Sequence, residues 1–205
     1  MLILTGRVLG SRFTQYFPRR NLYRDFVHLM TRASIDSQDQ YPFGQWVVDK
    51  EEVFARSAHS FAFVNLKPIL PGHVLISPLR VVPRYQDLTP AEIGDMWTLA
   101  QRVGRMVEAH YGATGLTMAI QDGASAGQTV FHVHIHILPR KEGDFERNDQ
   151  VYDELEKHDK ELYGDHKEHT GISKALDDER KPRTKEQMSA EAAVLRQRMR
   201  SLESD

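Results

Sequence analysis

Cysteine is absent from the 205 residues. That excludes a disulfide scaffold, a cysteine nucleophile, thiolate zinc sites and iron–sulfur clusters. Chemistry must therefore rest on histidine, carboxylates, hydroxyls or the backbone. No run of about 18 apolar residues occurs, so the sequence predicts no membrane span. Neither sign of charge dominates: 27 Lys and Arg face 29 Asp and Glu, for a net charge of −2. There is no global positive field to gather nucleic acid, and an anionic ligand has to be held by a local site. Hydrophobic residues make up 40% of the chain, enough for the core of one domain with tails to spare. Acidic residues are missing from the first 24 positions, where Arg7, Arg12, Arg19, Arg20 and Arg24 lie. Arg-rich and acid-poor is the composition of a mitochondrial transit peptide. Without such targeting, a cytoplasmic location is expected. Residues 1–42 are set apart as an extension, disordered or targeting.

Residues 43–161 read as the compact domain. Short β-rich runs come first: Trp46-Val47-Val48, Val53-Phe54 and Ser60 to Asn65. Pro68, Pro71 and Gly72 mark a turn. The run His73 to Ser77 then resumes the strand pattern, limited by Pro78. Thr89-Pro90-Ala91-Glu92 is a capping box with proline at the first helical position. Ile93, Met96, Trp97, Ala100, Val103 and Val107 follow at helical spacing and predict one core-facing stripe, with Gly112 placed to cap the end. Leu116 to Ile120 and Phe131 to Leu138 read as two more strands, joined by the loop Gln121 to Gln128. Beyond Lys141 the chain is highly charged, which predicts solvated helix surface. Residues 162–185 read as a mobile charged loop, and 186–205 as a C-terminal helix built on Ala190, Ala193, Val194 and Leu195.

Chemistry concentrates in His132-Val133-His134-Ile135-His136-Ile137. Strand alternation puts the three histidines on one face and the aliphatic residues on the other. A purely structural triplet is an expensive way to fill a core, because each unpartnered ring nitrogen costs of order 1–3 kcal/mol. Two functional readings follow. Imidazoles two apart on a strand can share a metal with a third ligand. Alternatively, a neutral imidazole is a good nucleophile near neutral pH and can attack phosphorus to form a phosphoramidate that water hydrolyses. The neighbours favour the second reading. Gly127-Gln128-Thr129-Val130 precedes the cluster and can supply backbone and neutral donors to a phosphate, and Arg140 and Lys141 follow it.

The His-x-His-x-His run followed by apolar positions resembles the histidine triad motif. The likeness extends to Asn65-Leu66-Lys67-Pro68-Ile69-Leu70-Pro71-Gly72-His73, Gln121-Asp122-Gly123, Gly127-Gln128-Thr129-Val130, Leu138-Pro139-Arg140-Lys141-Glu142-Gly143-Asp144-Phe145, Arg147-Asn148-Asp149 and Tyr152-Asp153-Glu154-Leu155. These blocks resemble the fragile histidine triad branch of the family, from about Tyr41 to about Glu161, with a related final helix. The resemblance implies an α+β fold: a five-stranded antiparallel sheet with a long helix and a C-terminal helix, paired into a homodimer with a continuous sheet. It implies hydrolysis of dinucleoside polyphosphates, diadenosine triphosphate above all, to AMP and ADP. In such proteins the central histidine, His134 here, attacks the α-phosphorus and carries the nucleotidyl group. His136 contacts the phosphates and aids departure of the leaving oxygen, and His132 fixes the orientation of the set. Gln128 binds the phosphate chain, and Gly127, Thr129 and Val130 line the same loop. Asn65 holds a ribose hydroxyl, Gln121 lies in the nucleotide pocket, and His73 supports the cluster. Mg²⁺ or Mn²⁺ comes with the polyphosphate, and no protein-ligated metal is expected.

Two features depart from that pattern. Trp46 stands where a histidine touches the nucleotide in the family, and could stack on adenine instead. The N-terminal extension lies outside the family core. A nucleotide-binding signalling protein, whose output is the bound dinucleotide, is the alternative from another class.

Overall fold

The computed structural model describes residues 39–163 and 181–202, with the side chains of 158–163 not described. The targeting expectation for the N-terminus and most of the expected mobile loop lie outside the described residues.

Among the described residues seven strands form two sheets. β1 (Gln40–Phe43) and β2 (Trp46–Asp49) make an antiparallel hairpin. β3 (Val53–Arg56), β4 (Ser60–Val64), β5 (Val74–Pro78), β6 (Gly115–Ala119) and β7 (Ile135–Arg140) make an antiparallel five-stranded sheet in the order β3-β4-β5-β7-β6. Among the described residues three α-helices complete the fold: α1 (Pro90–Tyr111), α2 (Gln150–Tyr163) and α3 (Lys185–Leu202). The structure is thus the α+β arrangement expected, with its five-stranded antiparallel sheet, long helix and C-terminal helix. Folded structure starts before residue 43: Tyr41, placed in the extension on sequence grounds, is fully buried in β1.

Alternation along β4 shows how the sheet divides the core. Ala62 and Val64 face a helical layer, together with Val74, Ile76, Ile135 and Ile137, against Met96, Leu99, Ala100, Val103 and Val107 of α1 and Met188, Ala192, Leu195 and Met199 of α3. Phe61 and Phe63 face the opposite side, where Tyr41, Phe43 and Val48 of the hairpin cover them. One face of the sheet therefore packs on helices and the other on the β1–β2 hairpin. His136 lies opposite Leu75 of β5, on the hairpin side.

α1 begins as the capping box predicts. Glu92 N–H donates to Thr89 Oγ1, and Thr89 N–H donates back to Glu92 Oε2 at 2.8 Å. It ends at Gly112 in the left-handed conformation, φ +60°. Its buried stripe is turned slightly from the expected one. Trp97 is 39% exposed, and its indole N–H donates to Tyr85 Oη, while Leu99 and Met106 take core positions. A bulky aromatic carrying an N–H sits at the rim, where that donor finds a partner. α2 is not wholly solvated: Val151 and Leu155 are buried against Leu138.

Candidate active site

The histidines do not form one regular strand row. β7 starts only at Ile135, so His132 and His134 precede it. The His132 N–H folds back to Val130 O at 2.7 Å, and the Val133 backbone turns instead to the segment between β5 and α1. Val133 N–H donates to Val82 O at 2.8 Å, and Ser77 Oγ donates to Val133 O at 2.8 Å. The side-chain sorting survives: Val133, Ile135 and Ile137 enter the helical core, and Phe43 of the hairpin packs its ring on His132 and His134, with centroids 5.8 and 5.1 Å apart.

Hydrogen bonds determine which nitrogen of each ring carries the proton. His132 Nδ1 accepts from Gly44 N–H at 3.2 Å, so its proton is on Nε2, which donates to Arg80 O at 3.1 Å. Both nitrogens are satisfied inside the protein. Burial, and next the neighbouring His134, push the pKa of His132 down to about 4, so it is neutral at pH 7. His134 Nδ1 lies 2.7 Å from His132 O. A carbonyl only accepts, so His134 carries a proton on Nδ1, and the neutral form of the ring has its lone pair on Nε2. His73 Nδ1 accepts from Ile69 N–H at 3.2 Å, which puts the His73 proton on Nε2. That proton is donated to His136 Nδ1 at 3.0 Å, and His136 therefore carries its own proton on Nε2. Asn65 Nδ2 stands 3.4 Å from the same His73 nitrogen, and with N–H groups on both sides this is a packing contact. In their neutral forms the two rings thus differ, His134 with its lone pair on Nε2 and His136 with its proton on Nε2, and their centroids are 4.8 Å apart.

The loop before the cluster is held as tightly. Gln128 is 3% exposed. Its Oε1 accepts from Gly123 N–H at 2.7 Å, and its Nε2 donates to Pro83 O at 2.8 Å. Gly127 adopts φ +92°, and a Cβ there would lie 2.4 Å from Gln121 Nε2, so only glycine fits this turn. Asp122 accepts from Arg84 Nε at 3.1 Å and from Tyr85 N–H at 2.8 Å, which anchors the loop to the same segment that holds His132. The buried Thr129 Oγ1 and Gln121 Oε1 have no hydrogen-bond partner among the described residues. A hydroxyl and an amide oxygen left unsatisfied beside such a cluster are ready for a ligand. A cleft of about 370 Å³ opens on this loop, walled by Ile120, Gln121, Gly127, Tyr152 and Glu156.

Other expected residues are placed less directly. Asn65 is buried, and its Oδ1 accepts from Lys67 N–H at 3.0 Å, so it lies in the wall beside His73. Trp46 is 48% exposed on the hairpin whose turn residue Gly44 touches His132. Arg140 does not offer positive charge to the cluster. Both oxygens of Asp144 hold it, at 2.6 and 3.0 Å, and Thr117 Oγ1 accepts from it at 3.0 Å. Sequence reasoning missed the carbonyls of Arg80, Val82 and Pro83, which accept from His132, Val133 and Gln128 in turn. Backbone carbonyls carry no residue signature. Among the described residues no group of three or more His, Asp or Glu is arranged to hold a metal, and no helix is long and apolar enough to cross a membrane.

Comparison with known proteins bears on this geometry. The family model of the HIT domain matches residues 48–143. A bis(5'-adenosyl)-triphosphatase of Dictyostelium discoideum is 49% identical over 154 residues, covering 75% of this chain and 89% of that protein. A bifunctional bis(5'-adenosyl)-triphosphatase/adenylylsulfatase of Arabidopsis thaliana is 57% identical over 122 residues, covering 60% of this chain and 68% of its own length. The crystal structure of a Plasmodium falciparum diadenosine triphosphate hydrolase superposes with a TM-score of 0.54 at 36% identity, covering 69% of this chain and 98% of that one.

Proposed function

Because the chain belongs to the histidine triad family, we propose that it is a hydrolase of phosphoric anhydrides that cleaves dinucleoside polyphosphates, diadenosine triphosphate to AMP and ADP. The relatives named for that activity support it. The observation that carries the mechanism is the 2.7 Å bond from His134 Nδ1 to His132 O, which leaves the Nε2 lone pair as the only basic nitrogen of that ring.

The steps follow from the proton positions. His134 Nε2 attacks the α-phosphorus, and the P–O bond to the ADP portion breaks. His136 Nε2–H gives its proton to the departing oxygen. The nucleotidyl-His134 ring gains positive charge, which the His132 carbonyl against Nδ1–H stabilises. Water then attacks the phosphorus, His136 takes its proton, the P–N bond breaks, and AMP leaves with both rings restored. His132 acts as a strut whose nitrogens stay committed. Gln128 keeps the loop in shape and offers its second amide hydrogen to the phosphate chain. Thr129 Oγ1, with Gly127 and Val130, lines the same chain, Gln121 faces the cleft that receives a nucleoside, Asn65 approaches a ribose, and Trp46 offers a face for stacking on a base. Mg²⁺ or Mn²⁺ bound to the polyphosphate supplies charge neutralisation. A second copy would continue the sheet from the edge strand β6, whose five residues are all half-exposed.

The test is a product assay on wild type and His134→Ala with diadenosine triphosphate and Mg²⁺. Equimolar AMP and ADP are expected from wild type and no turnover from a folded variant. Parallel arms with an adenosine phosphoramidate and with adenylyl sulfate read alternative leaving groups. Turnover by His134→Ala at the wild-type rate would sink the mechanism.

A further inference from the structure

The loop of residues 65–72 aims His73 yet forms no strand or helix. Its prolines, Pro68 and Pro71, remove two backbone donors, so it cannot hold itself by a ladder. It nevertheless makes the contacts that orient the ring. Ile69 N–H donates to His73 Nδ1 at 3.2 Å, His73 N–H donates to Leu70 O at 3.0 Å, and the Asn65 amide packs on His73 Nε2.

The hold comes from a residue far away in the sequence. Arg183, 118 residues from Asn65, lies just before α3 and outside the stretch matched by the family model. Its backbone N–H donates to Leu66 O at 2.9 Å. Its guanidinium donates twice to the Asn65 carbonyl, from Nε at 3.0 Å and from Nη2. Its Nη1 pairs with Glu191, whose second oxygen accepts from Tyr111 Oη at 2.7 Å. The Arg183 side chain is 18% exposed, so this is an enclosed contact rather than a surface pair. α3 is itself fastened independently. Met188, Ala192, Leu195 and Met199 are buried in the core, and Arg196 donates to Val53 O at 2.6 Å.

We infer that Arg183 is a positioning residue for the histidine cluster: it clamps the start of the 65–72 loop, and through that loop holds His73 against His136. Only arginine can do this, because a planar fork reaches one carbonyl twice while a third nitrogen pairs with Glu191; a lysine ammonium is a point donor on a flexible stem. The kinetic consequence rests on the proposed role of His136 as proton carrier. The structural consequence does not.

The test uses the full chain with Arg183→Ala, Arg183→Lys, Glu191→Gln and, as control, Lys185→Ala, which removes only the exposed pair with Asp49. Histidines labelled with nitrogen-15 report the tautomers by NMR. Wild type is expected to show His73 and His136 each protonated on Nε2 alone. Arg183→Ala is expected to show mixed tautomers at both rings, with a smaller change in Arg183→Lys and in Glu191→Gln and none in Lys185→Ala. In diadenosine triphosphate hydrolysis, kcat of Arg183→Ala is expected to fall by roughly ten- to a hundredfold, the scale of a small misplacement transmitted from outside the reacting centre. Should Arg183→Ala not fold, Arg183→Lys and Glu191→Gln carry the test. Unchanged imidazole tautomers in these variants overturn the inference, whatever the melting temperature. Mixed tautomers with wild-type kcat overturn it as well. A wild-type protein without hydrolytic activity refutes the proposed function alone, and the NMR arm then decides the role of Arg183.

Discussion

Each of the four buried imidazoles has its proton placed by a backbone group or by another imidazole. His132 donates to a carbonyl, His134 donates to a carbonyl, and His73 passes its proton towards His136. The depressed pKa of His132 has a consequence for stability. The unfolded chain binds a proton there near pH 6.5, whereas the folded chain refuses it until about pH 4. Stability is therefore full above pH 6.5 and falls as pH drops through that window. His132→Gln, which can still accept from Gly44 N–H and donate to Arg80 O, is expected to flatten this slope. Urea unfolding at a series of pH values checks it; an unchanged slope would show that His132 is not the titrating group. The histidines themselves are legible in the sequence because three of them alternate with aliphatic residues. Their division of labour is not, since it depends on carbonyls at Arg80 and His132 whose position only the fold supplies. Arg140 shows the same limit. Its charge is visible, but its partner Asp144 four residues on removes it from the site.

At the scale of elements, local signals are the most readable. Thr89, Pro90 and Glu92 mark the start of α1, and Gly112 marks its end, because caps are set by neighbours in sequence. Removing the cap hydroxyl with Thr89→Ala is expected to cost about 1 kcal/mol in chemical denaturation. No loss would mean that the Arg80–Glu92 pair holds the helix start alone. β5 and β6 lie within a residue of their expected places. β7 does not. Phe131 to Leu138 alternates like a strand throughout, but the His132 N–H folds back to Val130 O and the Val133 N–H goes to Val82 O, which delays pairing until Ile135. β1 escapes the sequence reading because it is four residues long and borders a stretch unlike the domain in composition. Gly127→Ala is expected to lower kcat by distorting the loop before the histidines, since a side chain at φ +92° is strained and its methyl would also displace the Gln121 amide. Steady-state rates with the melting temperature recorded alongside separate this from global destabilisation.

Over the whole molecule, the sheet serves as a partition. One face carries the helical core that supplies stability, and the other carries the hairpin that meets the histidines. Leu195 of α3 is fully buried in the helical core, and Leu195→Ala is expected to destabilise by about 2–5 kcal/mol. A loss well below that range would mean that α3 is only loosely docked, and would weaken the case for a clamp from Arg183. The same helix is tied to the β2–β3 region, through Lys185 to Asp49 and Arg196 to Val53. In the proposed reaction a nucleotidyl group passes through His134. Phosphorus–nitrogen bonds to histidine survive alkaline quench and hydrolyse in acid. Wild-type enzyme mixed with diadenosine triphosphate, quenched in alkali within one turnover and digested for mass spectrometry, is expected to show one AMP moiety on the peptide carrying His134. That adduct should disappear on acid treatment. Steady turnover with no adduct on that peptide at any quench time would contradict the account.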